Sequence, residues 1–368
     1  MLLTASSERC ERSAKRSTNR RLILLRRTLE TSETVERFER THEPERGGRM
    51  FRFLSLLLLY FLMEIRRTSF RGVVENLSAE DCSAVGLPMK DGMHVRPSAA
   101  TLNGFVNRWL PMMFDDAGEE IAVAVLRCMK RAKRLIVTMD STPLEASKSN
   151  RFTDFNTHYK IKMDKCHIIM VNGFPLFMVQ SSGNAGDNPF AEELIRKLDT
   201  LLAKANVPRK NIDVYADGAY DSVLTHAHVY IVTGAVMKCT HRCTAVFSGV
   251  NRDVITAEYG KLWKVNGFRP EKKSDVDFML RFIYRHGDKE TVGSYIRNLS
   301  MKDETEQKMS GVKDTSRQVC ETVHNGMKQW LDFTVRRLRN STKHDRIRCR
   351  FLCIQFLMTI FEEYTVPS

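Results

Sequence analysis

The sequence predicts an α/β fold whose mixed sheet carries two aspartates at the ends of strands. A short apolar run at 135–139 precedes Asp140, and a second strand-like run at 211–216 precedes Asp217. Short runs rich in apolar and β-branched residues are typical of buried strands. We therefore expect each aspartate at the carboxyl end of a strand. The two carboxylates are neighbours if both strands lie in the middle of the sheet.

The segments between and after the two aspartates define the rest of the sheet. The predicted elements are strands at 165–171 and 174–180, a helix from Asn188 to about Ala205, and a strand at 230–238. Asn172-Gly173 separates the first two strands and is a strong signal for a tight hairpin, so the sheet begins antiparallel. Pro189 near the first turn marks the start of the helix. This order of elements predicts a mixed sheet flanked by helices.

Helices dominate the prediction on the amino-terminal side of the sheet. Residues 50–134 have a helical pattern with short breaks, and we interpret them as a helical DNA-binding region. The uncharged run at 53–63 is well short of the ~20 residues that a membrane span needs, so it predicts a buried helix and no membrane contact. Residues 1–49 are rich in Arg, Glu, Ser and Thr and are expected to be a disordered basic extension. That extension is either an unstructured segment before a start at Met50 or an arm that contacts DNA.

The charge of the chain indicates a polyanionic partner. The chain has 58 Lys and Arg residues against 44 Asp and Glu, a formal net charge of +14, which favours nucleic acid. Residues 301–368 are expected to form a basic helical tail, with a linker or loop in the polar stretch 302–319. The cations that we assign to DNA phosphates are Lys165, Arg297, Arg336, Arg337, Arg339, Arg346 and Arg348. Such contacts bind the DNA backbone and carry no sequence information.

The cysteines indicate reduced thiols in the cytoplasm. There are nine, an odd number, without the close pairing of a secreted disulfide scaffold. Two pairs share a four-residue step, Cys239 with Cys243 and Cys349 with Cys353. Zinc is conceivable for either pair. Core or surface thiols are the favoured interpretation, because neither pair has a second pair at finger spacing.

The two aspartates fit a magnesium site. Mg²⁺ prefers oxygen ligands and is usually held by one or two carboxylates together with phosphate. A pair of such ions is typical of enzymes that cut or transfer phosphodiesters. An aspartate after a strand also commonly caps a turn, and Asp221, four positions after Asp217, is an alternative as either ligand or cap.

Three segments carry a family resemblance: MDSTPLEAS, HYKIKMDKCHIIMVNGFPLFMVQSSGNAGDN and VYADGAYDS. They resemble the DDE transposases of bacterial and archaeal insertion sequences, in the IS-four and IS-five group, over roughly residues 68–363. The resemblance implies a ribonuclease H-like core, which we place at 135–300, and an Asp, Asp, Glu triad that begins with Asp140 and Asp217. It also implies two Mg²⁺ ions, with Mn²⁺ as a substitute, and a homodimer that acts on element ends and target DNA at the nucleoid.

The third carboxylate implied by the resemblance lies on a helix after the core. In the family it often belongs to a signature of Tyr, two residues, Arg, three residues, Glu, six residues and Lys. We choose Glu290, which has Arg297 seven positions later, although Ile283 and His286 occupy the expected places of Tyr and Arg. The alternatives, also acidic residues after the core, are Asp288 and Glu304.

The function that the sequence predicts is DNA transposition. In this reaction water hydrolyses the phosphodiester at each element end, and the freed 3′-hydroxyl then joins that end to target DNA. Two alternatives stay open. One is a decayed or domesticated copy that binds DNA without chemistry, and the other is a stand-alone Mg²⁺ nuclease that cuts without joining.

Overall fold

The structure, a computed structural model, describes residues 21–42, 50–148, 150, 153–241, 244–263, 272–310, 322, 325 and 340–360, without the side chains at 258–263 and 340–342. The chain divides into two compact units. One comprises 1–122 with 326–365, and the other comprises 123–325.

The helices and strands are numbered in chain order. The helices are α1 (21–30), α2 (Glu33–His42), α3 (Phe53–Ile65), α4 (Phe70–Glu75), α5 (Ala79–Val85), α6 (Ala99–Cys128), α7 (Asn188–Lys204), α8 (Val223–Thr233), α9 (Arg252–Trp263), α10 (Lys273–Arg285), α11 (Lys289–Ser310) and α12 (Asn340–Ile360). The strands are β1 (Met89–Lys90), β2 (Met93–His94), β3 (Leu135–Glu145), β4 (Phe155–Asn156), β5 (Ile161–Val171), β6 (Phe174–Ser182), β7 (Ile212–Ala216) and β8 (Met237–Cys239).

Helix α3 is the central element of the first unit. Its residues are apolar on every face, and all of 53–64 are buried, as expected for a helix surrounded by others. Its one buried acid, Glu64, accepts a hydrogen bond at 3.0 Å from Arg350 of α12. The prediction of a buried helix at 53–63 is therefore confirmed. Among the described helices, none is both long enough and apolar enough to span a bilayer.

The expectation of disorder over 1–49 is wrong for residues 21–42. These residues form α1 and α2, and Leu22, Leu25 and Leu29 of α1 are fully buried. Their spacing places the three leucines on one side of a helix. The average composition of the segment does not reveal such a pattern. Glu120 of α6 caps α2 by accepting the backbone N–H groups of its first two residues at 2.9 and 3.0 Å. Residues 1–20 and 43–49 lie outside the described part.

The second unit is built on a mixed six-stranded sheet. Its order is β4-β5-β3-β7-β8, and β6 also pairs with β5. The pairs β3–β5 and β5–β6 are antiparallel, whereas β3–β7 and β7–β8 are parallel. Helices cover the sheet, so that the end of β5, residues 166–171, is buried continuously. This architecture confirms the predicted ribonuclease H-like α/β fold.

The predicted hairpin and the helix after it are also confirmed. Asn172 and Gly173 connect β5 to β6 with φ values of 49° and 79°, the left-handed conformations that a tight type I′ turn requires. The Asn172 side chain also accepts the Ile136 N–H at 2.8 Å, which ties the turn to β3. Helix α7 begins at Asn188, with Pro189 in its first turn, and ends at Lys204.

Two sequence predictions in the second unit are wrong. Residues 230–233 of the strand expected at 230–238 are the end of α8, because Gly234 terminates that helix with a φ of 72°, and β8 begins only at Met237. Short apolar runs do not distinguish a strand from a buried helix by themselves. The linker or loop expected at 302–319 is wrong for 302–310, which belong to α11. The rest of that stretch lies outside the described residues.

Candidate active site

Asp140 and Asp217 stand side by side where the parallel pairing of β3 and β7 ends. The last paired residues of that ladder are Met139 and Ala216, so each aspartate is the next residue on its strand. Adjacent strands lie about 4.8 Å apart, and both aspartates are half-buried. One expectation needs correction, because β3 does not end before Asp140. It continues to Glu145 in antiparallel pairing with β5, beyond the end of β7.

Each aspartate is also held by a local backbone contact. The Ser141 N–H donates to Asp140 Oδ1 at 2.8 Å, and the Ala219 N–H donates to Asp217 Oδ1. Asp217 thereby caps the short 3₁₀ turn that follows β7. The cap and the ligand interpretations of this residue are compatible, because an ionised carboxylate has about four acceptor sites. Gly218 is required in that turn, since a Cβ there would lie 2.5 Å from the Thr240 carbonyl oxygen.

A hydrogen-bonded network holds Ser141, the residue that follows Asp140. Asp187, directly before α7, accepts hydrogen bonds from the Ser141 hydroxyl at 2.9 Å and from the Lys165 ammonium at 3.0 Å. Asp187 thus fixes the residue that follows Asp140. Lys165 also donates to the Ala185 carbonyl at 2.9 Å. The lysine that we assigned to a DNA phosphate therefore has two partners within the protein.

His167 extends this network to the turn after Asp217. Its ring is fully buried. The Nε2 atom lies 2.8 Å from the Ser181 hydroxyl, and the Nδ1 atom lies 3.2 Å from the Tyr220 hydroxyl. The ring also stacks on Phe190 at a centroid distance of 4.3 Å. Burial lowers the pKa of His167 to about 4, so the ring is neutral near pH 7. Neutral contacts therefore connect β5 to the turn that carries Asp217.

Asp221 occupies a different environment from Asp217. Arg297 of α11 binds both of its carboxylate oxygens, at 2.7 and 2.8 Å. Burial opposes ionisation of this carboxyl, but the hydrogen bonds from Arg297 and the close imidazoles of His226 and His241 outweigh burial and hold its pKa well below the usual range. This ion pair also gives Arg297, predicted to contact DNA, a partner within the protein.

The structure does not bring the third predicted carboxylate into a close set with the first two. Glu290 is exposed in the first turn of α11. Among described residues, the His, Cys, Asp and Glu side chains whose ligand atoms converge within 4.8 Å are a different group, around Asp221. The two alternatives have local partners, since Asp288 accepts the Thr291 N–H at 3.0 Å and Glu304 accepts the His241 N–H at 3.2 Å.

A second glutamate matches the family signature more closely, and our choice of Glu290 overlooked it. Arg317, Glu321 and Lys328 have the spacing of Arg, three residues, Glu, six residues and Lys, each with the expected residue type. Asp314 stands at the place of the tyrosine. Glu321 lies outside the described residues, whereas Thr322 after it is helical. Applying the full spacing beyond residue 304 would have found this glutamate.

The remaining cations assigned to DNA lie in the carboxyl-terminal part. Arg346 donates to Asn103 and Asn107 at 3.2 Å, and Arg348 forms an ion pair with Asp115 at 2.8 Å. Both arginines therefore have partners within the first unit, and their contact with DNA stays a prediction. The other three, Arg336, Arg337 and Arg339, lie outside the described residues.

Comparison with known families gives one match. Residues 131–357 match the model of a family described as the transposase DDE domain. That segment is more than half of the chain and contains both aspartates and both candidate glutamates. No curated protein and no solved structure matches the chain significantly.

Proposed function

The chain belongs to the transposase DDE domain family, and we propose that it cuts and joins insertion-sequence ends through divalent cations held by Asp140 and Asp217. The observation that carries this proposal is the position of the two carboxylates, which follow the last pair of the parallel β3–β7 ladder. Two parallel neighbours deliver their next residues to the same edge of the sheet. The two side chains can therefore share one substrate phosphate.

The donor set fits hard divalent cations. Both ligands are carboxylates, both are half-buried, and Mg²⁺ or Mn²⁺ prefers such oxygen ligands. When bound, two such ions lower the pKa of the attacking water or 3′-hydroxyl and stabilise the leaving 3′-oxygen. The protein orients the two carboxylates through β3, β7 and the contact of Ser141 with Asp187.

The third carboxylate in this proposal is either Glu290 or Glu321. Glu290 has a basic residue, Arg297, at the expected distance, but that arginine is bound to Asp221. Glu321 has the expected arginine and lysine at both distances. The spacing therefore favours Glu321.

DNA is the substrate in this proposal, and a homodimer that pairs two element ends at the nucleoid is its working form. The net charge of +14 supports a polyanionic partner. The helical first unit, with the basic segment 336–350, is the proposed platform for the element ends.

The experiment that tests this function uses labelled DNA fragments carrying the element's own ends, with Mg²⁺, Mn²⁺ or EDTA. Wild type is compared with Asp140→Asn, Asp217→Asn, Glu290→Gln and Glu321→Gln. Asp213→Asn is the matched control, because it changes a half-buried carboxylate of β7 that pairs with Arg134.

The expected result is metal-dependent cutting and joining that both active-site aspartate variants and one glutamate variant lose. The control should retain both activities. Cutting without joining would favour a nuclease. Tight DNA binding without any cutting by wild type would favour a decayed copy.

A further inference from the structure

Four metal-binding side chains converge beside the candidate active site. They come from three segments: Asp221 follows the turn after β7, His226 lies in the first turns of α8, and Cys239 and His241 lie at and just after the end of β8. The rings and the thiol belong to buried residues, with 0% exposure at His226 and 8% at Cys239 and His241. The Asp221 side chain is 5% exposed. Their ligand atoms lie within 4.8 Å of one another.

The spacing of these atoms is close to that of a tetrahedral metal site. With bonds of the usual length to zinc, neighbouring ligand atoms are separated by about 3.3–3.6 Å. Asp221 Oδ1 lies 3.2 Å from His226 Nε2, and Asp221 Oδ2 lies 3.1 Å from His241 Nδ1. Cys239 Sγ lies 3.8 Å from His226 Nε2, and it lies 3.8 and 4.0 Å from Nε2 and Nδ1 of His241. Binding of an ion would draw the four groups, whose ligand atoms lie within 4.8 Å of one another, closer together.

The hydrogen bonds of His241 leave a place for a cation. Ser300 donates its hydroxyl proton to the Met237 carbonyl at 2.6 Å, so it accepts at 3.0 Å from His241 Nε2. With the proton on Nε2, the Nδ1 lone pair faces a carboxylate oxygen of Asp221. Two acceptors at 3.1 Å repel each other unless a proton or a metal ion lies between them. A second hydrogen bond from the distal ring nitrogen is also the usual arrangement of a metal-bound histidine.

A single metal ion accounts for the convergence of the thiol, the two imidazoles and the carboxylate on one point. Neutral imidazole and a thiol that ionises on binding are the forms that zinc takes up.

The surrounding charges also suit a divalent ion. Arg297 binds both oxygens of Asp221 and orients the carboxylate, and each oxygen retains a further acceptor site. Glu304 accepts the backbone N–H of His241 at 3.2 Å. One thiolate and the Asp221 carboxylate balance the charge of the ion, while Arg297 pairs with Asp221 and Lys308 pairs with Glu304 at 2.8 Å.

We propose that Asp221, His226, Cys239 and His241 bind a structural Zn²⁺ ion. A mixed set of thiolate, imidazole and carboxylate ligands selects zinc over Mg²⁺. Four protein ligands close the coordination sphere, so the ion has a structural role. It joins the segment after Asp217 to α8 and to the end of β8. The proposal stands on this cluster and does not depend on the proposed function.

The first test is the metal content and spectrum of the full-length wild-type protein. After removal of metals with a chelator, the protein is loaded with Zn²⁺ in the presence of excess Mg²⁺ and analysed by mass spectrometry. We expect about one Zn²⁺ per chain. Titration with Co²⁺ should give a thiolate charge-transfer band and the visible bands of a tetrahedral ion. Absence of both signals in folded protein would overturn the proposal, and it would favour a proton at His241.

Variants identify the ligands. Cys239→Ala should abolish the charge-transfer band, whereas Cys166→Ala, which removes a buried cysteine of β5, should retain it. Ser300→Ala keeps all four ligands and loses the hydrogen bond to His241, so we expect a 10–100-fold loss of Zn²⁺ affinity. An unchanged band in Cys239→Ala would overturn the assignment. If Cys239→Ala does not fold, the wild-type spectrum and Ser300→Ala still decide the question.

Discussion

Asp217 and Asp221 lie four residues apart on one segment and are both half-buried, yet their side chains have different partners. Asp217 is half-buried, accepts a backbone N–H and stands beside the like-charged Asp140. Asp221 has a side chain that is 5% exposed, and it faces a guanidinium and two imidazoles. The first arrangement sets two carboxylates beside each other, whereas the second pairs a carboxylate with a guanidinium within the fold.

The difference shows how one turn supports two kinds of chemistry. Two adjacent carboxylates repel each other and divalent cations relieve that repulsion, which suits exchangeable hard ions held with a substrate phosphate. A carboxylate already paired with arginine is expensive to disturb, because removing one partner leaves a buried charge behind. The proposed function assigns Asp217 to catalysis, and the ion pair of Asp221 with Arg297 holds the segment that carries it.

The largest expected effect separates the roles of the two aspartates. Asp217→Asn should lower cleavage by a factor on the order of 10⁴, as for other members of a catalytic set, with little change in the free energy of unfolding. Asp221→Asn should instead lower the free energy of unfolding by about 3 kcal/mol, because Arg297 loses its partner. Gel-based cleavage and urea unfolding of both variants measure the two effects.

Asp213→Asn on β7 serves as the control for that pair of variants. The comparison fails if the results are exchanged, so that Asp221→Asn folds normally without activity while Asp217→Asn unfolds. That outcome would make Asp221 the metal ligand of the active site.

The next effect concerns the helix that brings Arg297 to Asp221. A Cβ at Gly293 of α11 would lie 2.0 Å from the Val223 carbonyl oxygen of α8, so Gly293→Ala must separate the two helices. We expect a loss of about 3 kcal/mol, at the upper end for overpacking. Gly104→Ala is the matched control, because its Cβ meets nothing within 4 Å in α6, and it should gain up to about 1 kcal/mol. Urea unfolding that gave equal values for both variants would contradict the close packing of α11 on α8.

The sequence predicted those features that depend on local signals. Asn172-Gly173 fixes its hairpin by turn chemistry, and the strand-like runs before Asp140 and Asp217 place both aspartates in one sheet. Helix α1 was missed because three leucines form its buried side within a polar composition. The cluster at Asp221 could not be predicted from spacing, since its members come from segments that meet only through the fold. The sequence disfavours zinc at Cys239, because no second cysteine pair lies at finger spacing. The side chains that converge with Cys239 are instead those of His226, His241 and Asp221.

The pH dependence of stability tests whether the buried His167 ring near the candidate active site is neutral. The pKa of His167 falls from an unfolded value near 6.5 to about 4 because of burial. At pH values between these two pKa values, the unfolded chain binds a proton at this position and the folded protein does not. The free energy of unfolding therefore decreases as the pH falls. From pH 7.5 to pH 5 we expect a loss of about 2 kcal/mol from His167, measured by urea unfolding.

His167→Gln should remove that part of the pH dependence, whereas His158→Gln, at an exposed position, should retain it. A residual slope is expected in both variants, because burial also lowers the pKa of His226. An unchanged slope in His167→Gln would mean that this ring is not held neutral, and the contrast with the charged surroundings of Asp221 would weaken.

The smallest effect decides whether Arg297 binds DNA or only Asp221. Arg297→Lys retains the charge but cannot reproduce two parallel hydrogen bonds to one carboxylate, so it should cost about 1 kcal/mol of stability. If Arg297 contacts a phosphate, Arg297→Ala should reduce the slope of log affinity against log salt by about 0.9. Its Nε and Nη2 groups already donate to Asp221, and that carboxylate offsets the charge of the guanidinium. We therefore expect an unchanged salt dependence, and a reduced slope would return Arg297 to the DNA-binding surface.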